Sequence, residues 1–95
     1  MTSADTVVMY TTSWCPYCSR ARQLFARKGV RFRDIDIEAV EGARAEMQAR
    51  SGRTSVPQIF IGTRHLGGYD DTRALDDRGE LDALLATPVA CVAAG

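Results

Sequence analysis

A surplus of either charge is missing from this sequence: twelve Lys and Arg balance twelve Asp and Glu. A neutral chain offers no electrostatic footprint to nucleic acid or to an anionic membrane. Arg22, Arg27, Lys28, Arg31 and Arg33 do cluster, but Asp34, Asp36 and Glu38 follow at once, which reads as a solvated helix end and strand rim. Long hydrophobic runs are also missing, and no stretch approaches the roughly 20 apolar residues of a membrane span. The opening M-T-S-A-D-T-V-V-M-Y has neither a basic segment nor an apolar run of signal-peptide length, so the cytoplasm is the expected compartment. Cysteine is scarce, three in 95 residues, unlike the dense, even set of a secreted disulfide scaffold. What these absences leave is one small soluble domain over residues 1–95.

The local patterns order themselves as β-α-β-α-β-β-α. Residues 6–10, T-V-V-M-Y, are β-branched and aromatic and predict a buried strand. Pro16 suits the first position of a helix that carries Ala21, Leu24, Phe25 and Lys28 at helical spacing and stops at Gly29. Residues 30–37 alternate apolar with charged, as a half-exposed strand does. A second helix is predicted over 40–50, ending at Ser51 and Gly52. Residues 58–61 and 64–66 read as a hairpin turned at Gly62 and Thr63. Gly67 and Gly68 then release the chain into a third helix from Tyr69, interrupted near Gly79 and resumed over 81–85. Residues 86–95 have no packing pattern and are expected to be a flexible tail. A right-handed parallel crossover for the first βαβ, with the hairpin added antiparallel, gives an α/β fold: a four-stranded mixed sheet with helices on both faces.

Against that frame stands S-W-C-P-Y-C-S-R at 13–20. Cys15 and Cys18 sit three apart at a helix start, close enough to form a small disulfide ring. So short a loop constrains little unfolded-state entropy, which makes it a poor staple. A cysteine at the N-cap has free backbone N–H groups and the positive end of the helix dipole to stabilise a thiolate. A thiolate so held is more populated and leaves more readily, though it attacks less strongly. Cys15 is then expected to be the exposed nucleophile and Cys18 the less accessible thiol. Redox exchange, metal or cluster ligation and an inert pair are the three readings open at this point. Only Cys91 and the lone His65 could complete a four-ligand zinc site, neither at a usual spacing, so no metal is expected.

C-P-Y-C at 15–18, S-V-P at 55–57 and G-G-Y-D-D at 67–71 together resemble the three signatures of a dithiol glutaredoxin, with S-G-R-T-S-V-P-Q-I-F-I and A-L-D-D-R-G-E-L-D closest to the bacterial glutaredoxin-three type. The resemblance implies a thioredoxin fold and glutathione-dependent reduction of glutathione mixed disulfides and protein disulfides, with ribonucleotide reductase among the protein partners, by a monomer. It implies that Cys15 attacks, that Cys18 resolves, and that Pro57 is cis. It also implies a glutathione groove: Tyr17 as a wall, Val56 pairing through its backbone, and Gly68, Tyr69, Asp70 and Asp71 receiving the γ-glutamyl end. Arg53 is the available charge for the glycyl carboxylate.

The sequence departs from that pattern at Thr12, where the family usually has lysine, and at Tyr69, where it often has cysteine. Ser55 stands for threonine. Trp14 before the first cysteine resembles the flank of glutaredoxin-like donors served by thioredoxin reductase, which is the alternative electron source. An iron–sulfur carrier is a third reading, disfavoured by the stiff Pro16 and bulky Tyr17. Cys91, in the tail, is expected to be inert.

Overall fold

A computed structural model describes residues 7–86 of the chain. β1 (Val7–Thr11), α1 (Pro16–Arg27) and β2 (Phe32–Asp36) form the parallel crossover. α2 (Ala43–Ser51) leads to the hairpin of β3 (Gln58–Ile61) and β4 (Arg64–Gly67). The third helix is divided by Gly79 into α3 (Tyr69–Asp77) and α4 (Glu80–Ala86). The sheet order is β2-β1-β3-β4, with β1 antiparallel to β3 in a register that sets Val7 opposite Ile61 and Met9 opposite Ile59. Packed by helices on both faces, this is the thioredoxin fold.

The period-two alternation of strands decides which side chains face which helices. Val7 and Met9 from β1 join Ile59 and Ile61 from β3 on one face, against Ala21, Leu24 and Phe25 of α1 and Leu81 of α4. Tyr10 and Phe60 turn to the other face, where Ala43 and Met47 of α2 cover them. Each fully buried side chain of this size contributes roughly 1.5–3 kcal/mol by leaving water.

Two expectations are corrected. The second helix begins at Ala43, not at 40, because the chain first turns on Asp36: the Glu38 N–H donates to Asp36 Oδ1 at 2.9 Å, and the Val40 N–H to the Asp36 carbonyl at 2.9 Å. Gly42, at φ +82°, then takes the left-handed conformation that leaves Val40 outside the helix and half-exposed. The basic cluster is also not uniformly solvated. Lys28 Nζ bridges Asp76 at 2.6 Å and Asp82 at 2.8 Å, tying the end of α1 to α3 and α4. Ala86, assigned to the tail, closes α4, while Thr6, the rest of the tail and Cys91 lie outside the described residues.

Candidate active site

The loop leaving β1 delivers Cys15 to the N-cap of α1, in extended conformation with Pro16 behind it, and no side chain caps the helix. The Ser19 N–H donates to the Cys15 carbonyl at 3.2 Å, closing the first turn. Both thiols are free. Cys18, one turn in, is completely buried, and Cys15 retains 7% of its surface. Cys15 is therefore the more accessible of the two but not the open nucleophile expected. The 55–57 turn lies over it, with Cys15 Sγ 3.9 Å from the Val56 carbonyl oxygen.

Burial pushes the Cys18 thiol up to about 11, with the Cys15 side chain adding to the rise; the Thr12 backbone N–H and the Arg22 charge oppose it. Cys18 is thus a protonated thiol at neutral pH. Arg22 lies four residues beyond it, so the helical repeat sets both on one face. Its Nη2 donates to Thr11 Oγ1 at 3.0 Å and to the Thr12 carbonyl at 3.2 Å, while Nε pairs with Asp34 at 2.5 Å. This network holds Thr12 through its carbonyl and through the Thr11 side chain before it, and the Thr12 N–H meets Cys18. The sequence reading missed it, although the i, i+4 spacing was a usable signal. Thr12 Oγ1, by contrast, is buried with no hydrogen-bond partner.

Beside the thiols runs a groove of about 180 Å³ lined by Tyr17, Ser55, Val56, Pro57, Gly68, Tyr69, Asp70 and Asp71. It unites every residue expected there except Arg53 and adds Ser55. The Val56–Pro57 peptide is cis. The Tyr17 and Tyr69 rings, 6.4 Å between centroids, form one wall, and the Arg20 guanidinium lies 5.2 Å over Tyr17. At the far end Asp71 Oδ2 accepts from the Gly68 N–H at 3.0 Å, capping α3. That bond first, and the Arg53 guanidinium second, hold the Asp71 carboxyl below its usual range.

Arg53 is not among the residues that line the groove, but it reaches one of them: Nη1 donates to Asp71 Oδ2 at 3.1 Å. Gly67 is required nearby: its φ is +108°, and a Cβ there would run into the Asp71 carboxylate. Among the described residues no group of three or more His, Cys, Asp or Glu could hold a metal ion. No helix among them is long and apolar enough to cross a membrane.

Comparison with known proteins gives a consistent picture. The Glutaredoxin family model matches residues 7–66. Glutaredoxin from Pseudomonas aeruginosa is 55% identical over 80 residues, which cover 84% of this chain and 95% of that protein. Glutaredoxin 3 of Escherichia coli K12 is 54% identical over 79 residues, covering 83% and 95%. Among solved structures, the buckwheat glutaredoxin–glutathione complex aligns with a TM-score of 0.80 at 29% identity, covering 86% of this chain and 77% of that one. Glutaredoxin from Brucella melitensis aligns at 0.74 and 57% identity, covering 85% and 88%.

Proposed function

Because the chain belongs to the glutaredoxin family, and is accordingly a glutathione-dependent thiol–disulfide oxidoreductase, we propose that Cys15 is its nucleophile, Cys18 its resolving thiol and the groove beside them the seat of glutathione. One observation carries this reading: Val56 both lines the groove and presents its carbonyl 3.9 Å from Cys15 Sγ. A glutathione pairing with the Val56 backbone as an added strand brings its sulfur to Cys15. Its γ-glutamyl carboxylate meets the N–H groups at the start of α3, and its ammonium meets Asp71. Tyr17, Pro57, Gly68, Tyr69 and Asp70 shape the walls, and Arg53 stays at the γ-glutamyl end as Asp71's partner.

With a glutathionylated protein, the Cys15 thiolate attacks the glutathione sulfur. The Cys15–glutathione bond forms as the protein–glutathione bond breaks, and the protein thiolate takes a proton from water. A second glutathione thiolate then attacks the bound glutathione sulfur, releasing glutathione disulfide and the Cys15 thiolate. With a protein disulfide, Cys15 forms a mixed disulfide with one sulfur. Cys18 passes its proton to the departing thiolate and attacks Cys15 Sγ. The partner leaves reduced by two electrons, and the dithiol is oxidised by two. The buried, protonated Cys18 leaves Cys15 free until that second step.

The proposed protein partners are glutathionylated proteins and protein disulfides, ribonucleotide reductase among them, served in the cytoplasm by a monomer. The test is NADPH consumption on a glutathione mixed disulfide, with glutathione and glutathione reductase in one arm and thioredoxin reductase alone in the other. Turnover in the first arm is expected; turnover only in the second would assign electron supply to thioredoxin reductase. Cys15→Ser abolishes all exchange. Cys18→Ser keeps the one-thiol deglutathionylation and loses protein-disulfide reduction; equal loss of both would refute the division of roles.

A further inference from the structure

His65, the lone histidine, sits on β4 and lines no part of the glutathione groove. Hydrogen bonds nonetheless join its ring to that groove. Nε2 lies 2.7 Å from Gln58 Oε1, and Gln58 Nε2 donates to the Ser55 carbonyl at 3.0 Å and to Ser55 Oγ at 3.3 Å. Ser55 lines the groove, and Val56 follows it in the wall. We propose that His65 is a positioning residue for this groove: through Gln58 it holds Ser55, and with it the Val56 backbone, where glutathione pairs.

The role depends on the groove being the seat of glutathione, and three observations then carry it. First, chemistry fixes the direction of every bond. The Ser55 carbonyl only accepts, so the end of Gln58 that faces it is the NH2 group, which turns Oε1 to His65. That oxygen also only accepts, so His65 bears its proton on Nε2 and donates. Burial first, and the Arg53 charge second, lower the imidazole from its ordinary 6.5, with Arg50 adding and Asp71 opposing, so the ring is neutral at pH 7. Second, Gln58 is completely buried, where an amide has no water to turn to and keeps the partners it has. Its bonds are the only hydrogen bonds to Ser55 among the described residues. Third, the core aims the donor. The His65 ring lies 4.8 Å from the buried Phe60 ring at 32° between planes, and the Arg50 guanidinium lies 4.2 Å from the same ring. Ser55 itself is exposed, so without Gln58 its turn has to be ordered at the moment glutathione binds, which weakens the hold.

An exchange equilibrium reads that hold. In a Cys18→Ser, Cys91→Ser protein Cys15 is the only thiol. Its thiolate attacks glutathione disulfide, the Cys15–glutathione bond forms, and one glutathione thiolate leaves. The same exchange is run with hydroxyethyl disulfide, whose adduct has no peptide to pair with Val56. His65→Phe keeps a ring against Phe60 and loses the donor. It is expected to lower the equilibrium constant for glutathione about fivefold, as for one lost hydrogen bond, and to leave that for hydroxyethyl disulfide unchanged. His65→Gln, whose amide N–H stands in for Nε2–H, is expected to restore the hold. In a Gln58→Met background the link is already cut, so His65→Phe should cause no further loss. An equal fall for both disulfides would make His65 a support of the fold alone. No fall, or the same fivefold fall in the Gln58→Met background, would put the groove beyond its reach; each of these overturns the proposal. In the unsubstituted protein, where no variant has to fold, nitrogen NMR of the imidazole at neutral pH is expected to show the Nε2–H tautomer, and the Nδ1–H tautomer would overturn it too. A parent protein that holds glutathione no better than hydroxyethyl thiol would instead refute the glutathione seat itself, before position 65 is altered.

Discussion

One carboxylate oxygen, Asp71 Oδ2, is shared by the Gly68 N–H and Arg53, and Gly67 makes room for it. Gly67→Ala puts a methyl group against that oxygen at a backbone conformation alanine resists. The expected result is a rise of about fivefold in KM for a glutathione mixed disulfide, as for one lost polar contact, with Cys15 alkylated at an unchanged rate. An unchanged KM would detach Asp71 from the substrate. Thr12 offers the opposite experiment. Its hydroxyl is buried without a partner, so Thr12→Val removes a polar atom that gains nothing in the folded state. Urea titration should show a gain of about 1 kcal/mol, and a loss would mean the hydroxyl is satisfied in solution.

α2 is short, nine residues, and meets the sheet through Ala43 and Met47 over Tyr10 and Phe60. Met47→Ala therefore strips most of its buried face, with an expected cost of about 2–5 kcal/mol in denaturant unfolding. The same helix shows where sequence legibility ended. Its periodic composition ran smoothly through 40–50, and only the Asp36 turn, a side-chain-to-backbone bond, delays it to Ala43. The strands and α1 were legible because alternation, Pro16 and Gly29 act locally. That Tyr17, Val56 and Asp71 line one groove was legible only through the resemblance to a family pattern, since they are far apart in the chain. The position of Arg53 and the depth of Cys15 were not, because both depend on where the 55–57 turn comes to rest against other elements.

At the scale of the whole molecule, five groups set how stability follows pH; one of them, Lys28, raised from 10.5 by Asp76 and Asp82, contributes fully below that value and fades only above it. Burial lowers His65 from its ordinary 6.5, so its stabilisation is full above 6.5 and fades as the pH falls. Asp71, depressed from 3.8 by Gly68 and then Arg53, adds a further loss as the pH falls below that value. Burial raises Cys18 from 9.0 and Tyr10 from 10.0, so their contributions are full below those values and fade as the pH rises. The melting temperature under reducing conditions should thus be flat from about pH 6.5 to 9 and fall on both sides. Cys18→Ser should soften the fall between pH 9 and 11; an unaltered alkaline limb would show that the thiol is not held protonated. The sheet order has its own mechanical meaning. β1 is bonded to strands on both sides and packed on both faces, and the loop carrying Cys15 leaves from its end, whereas β4 is an edge strand that continues into α3. Inner strands open last and edges first. On the proposed reading the reacting sulfur is mounted from an inner strand and the γ-glutamyl contacts from an edge strand, so native-state hydrogen exchange is expected to protect β1 longer than β4.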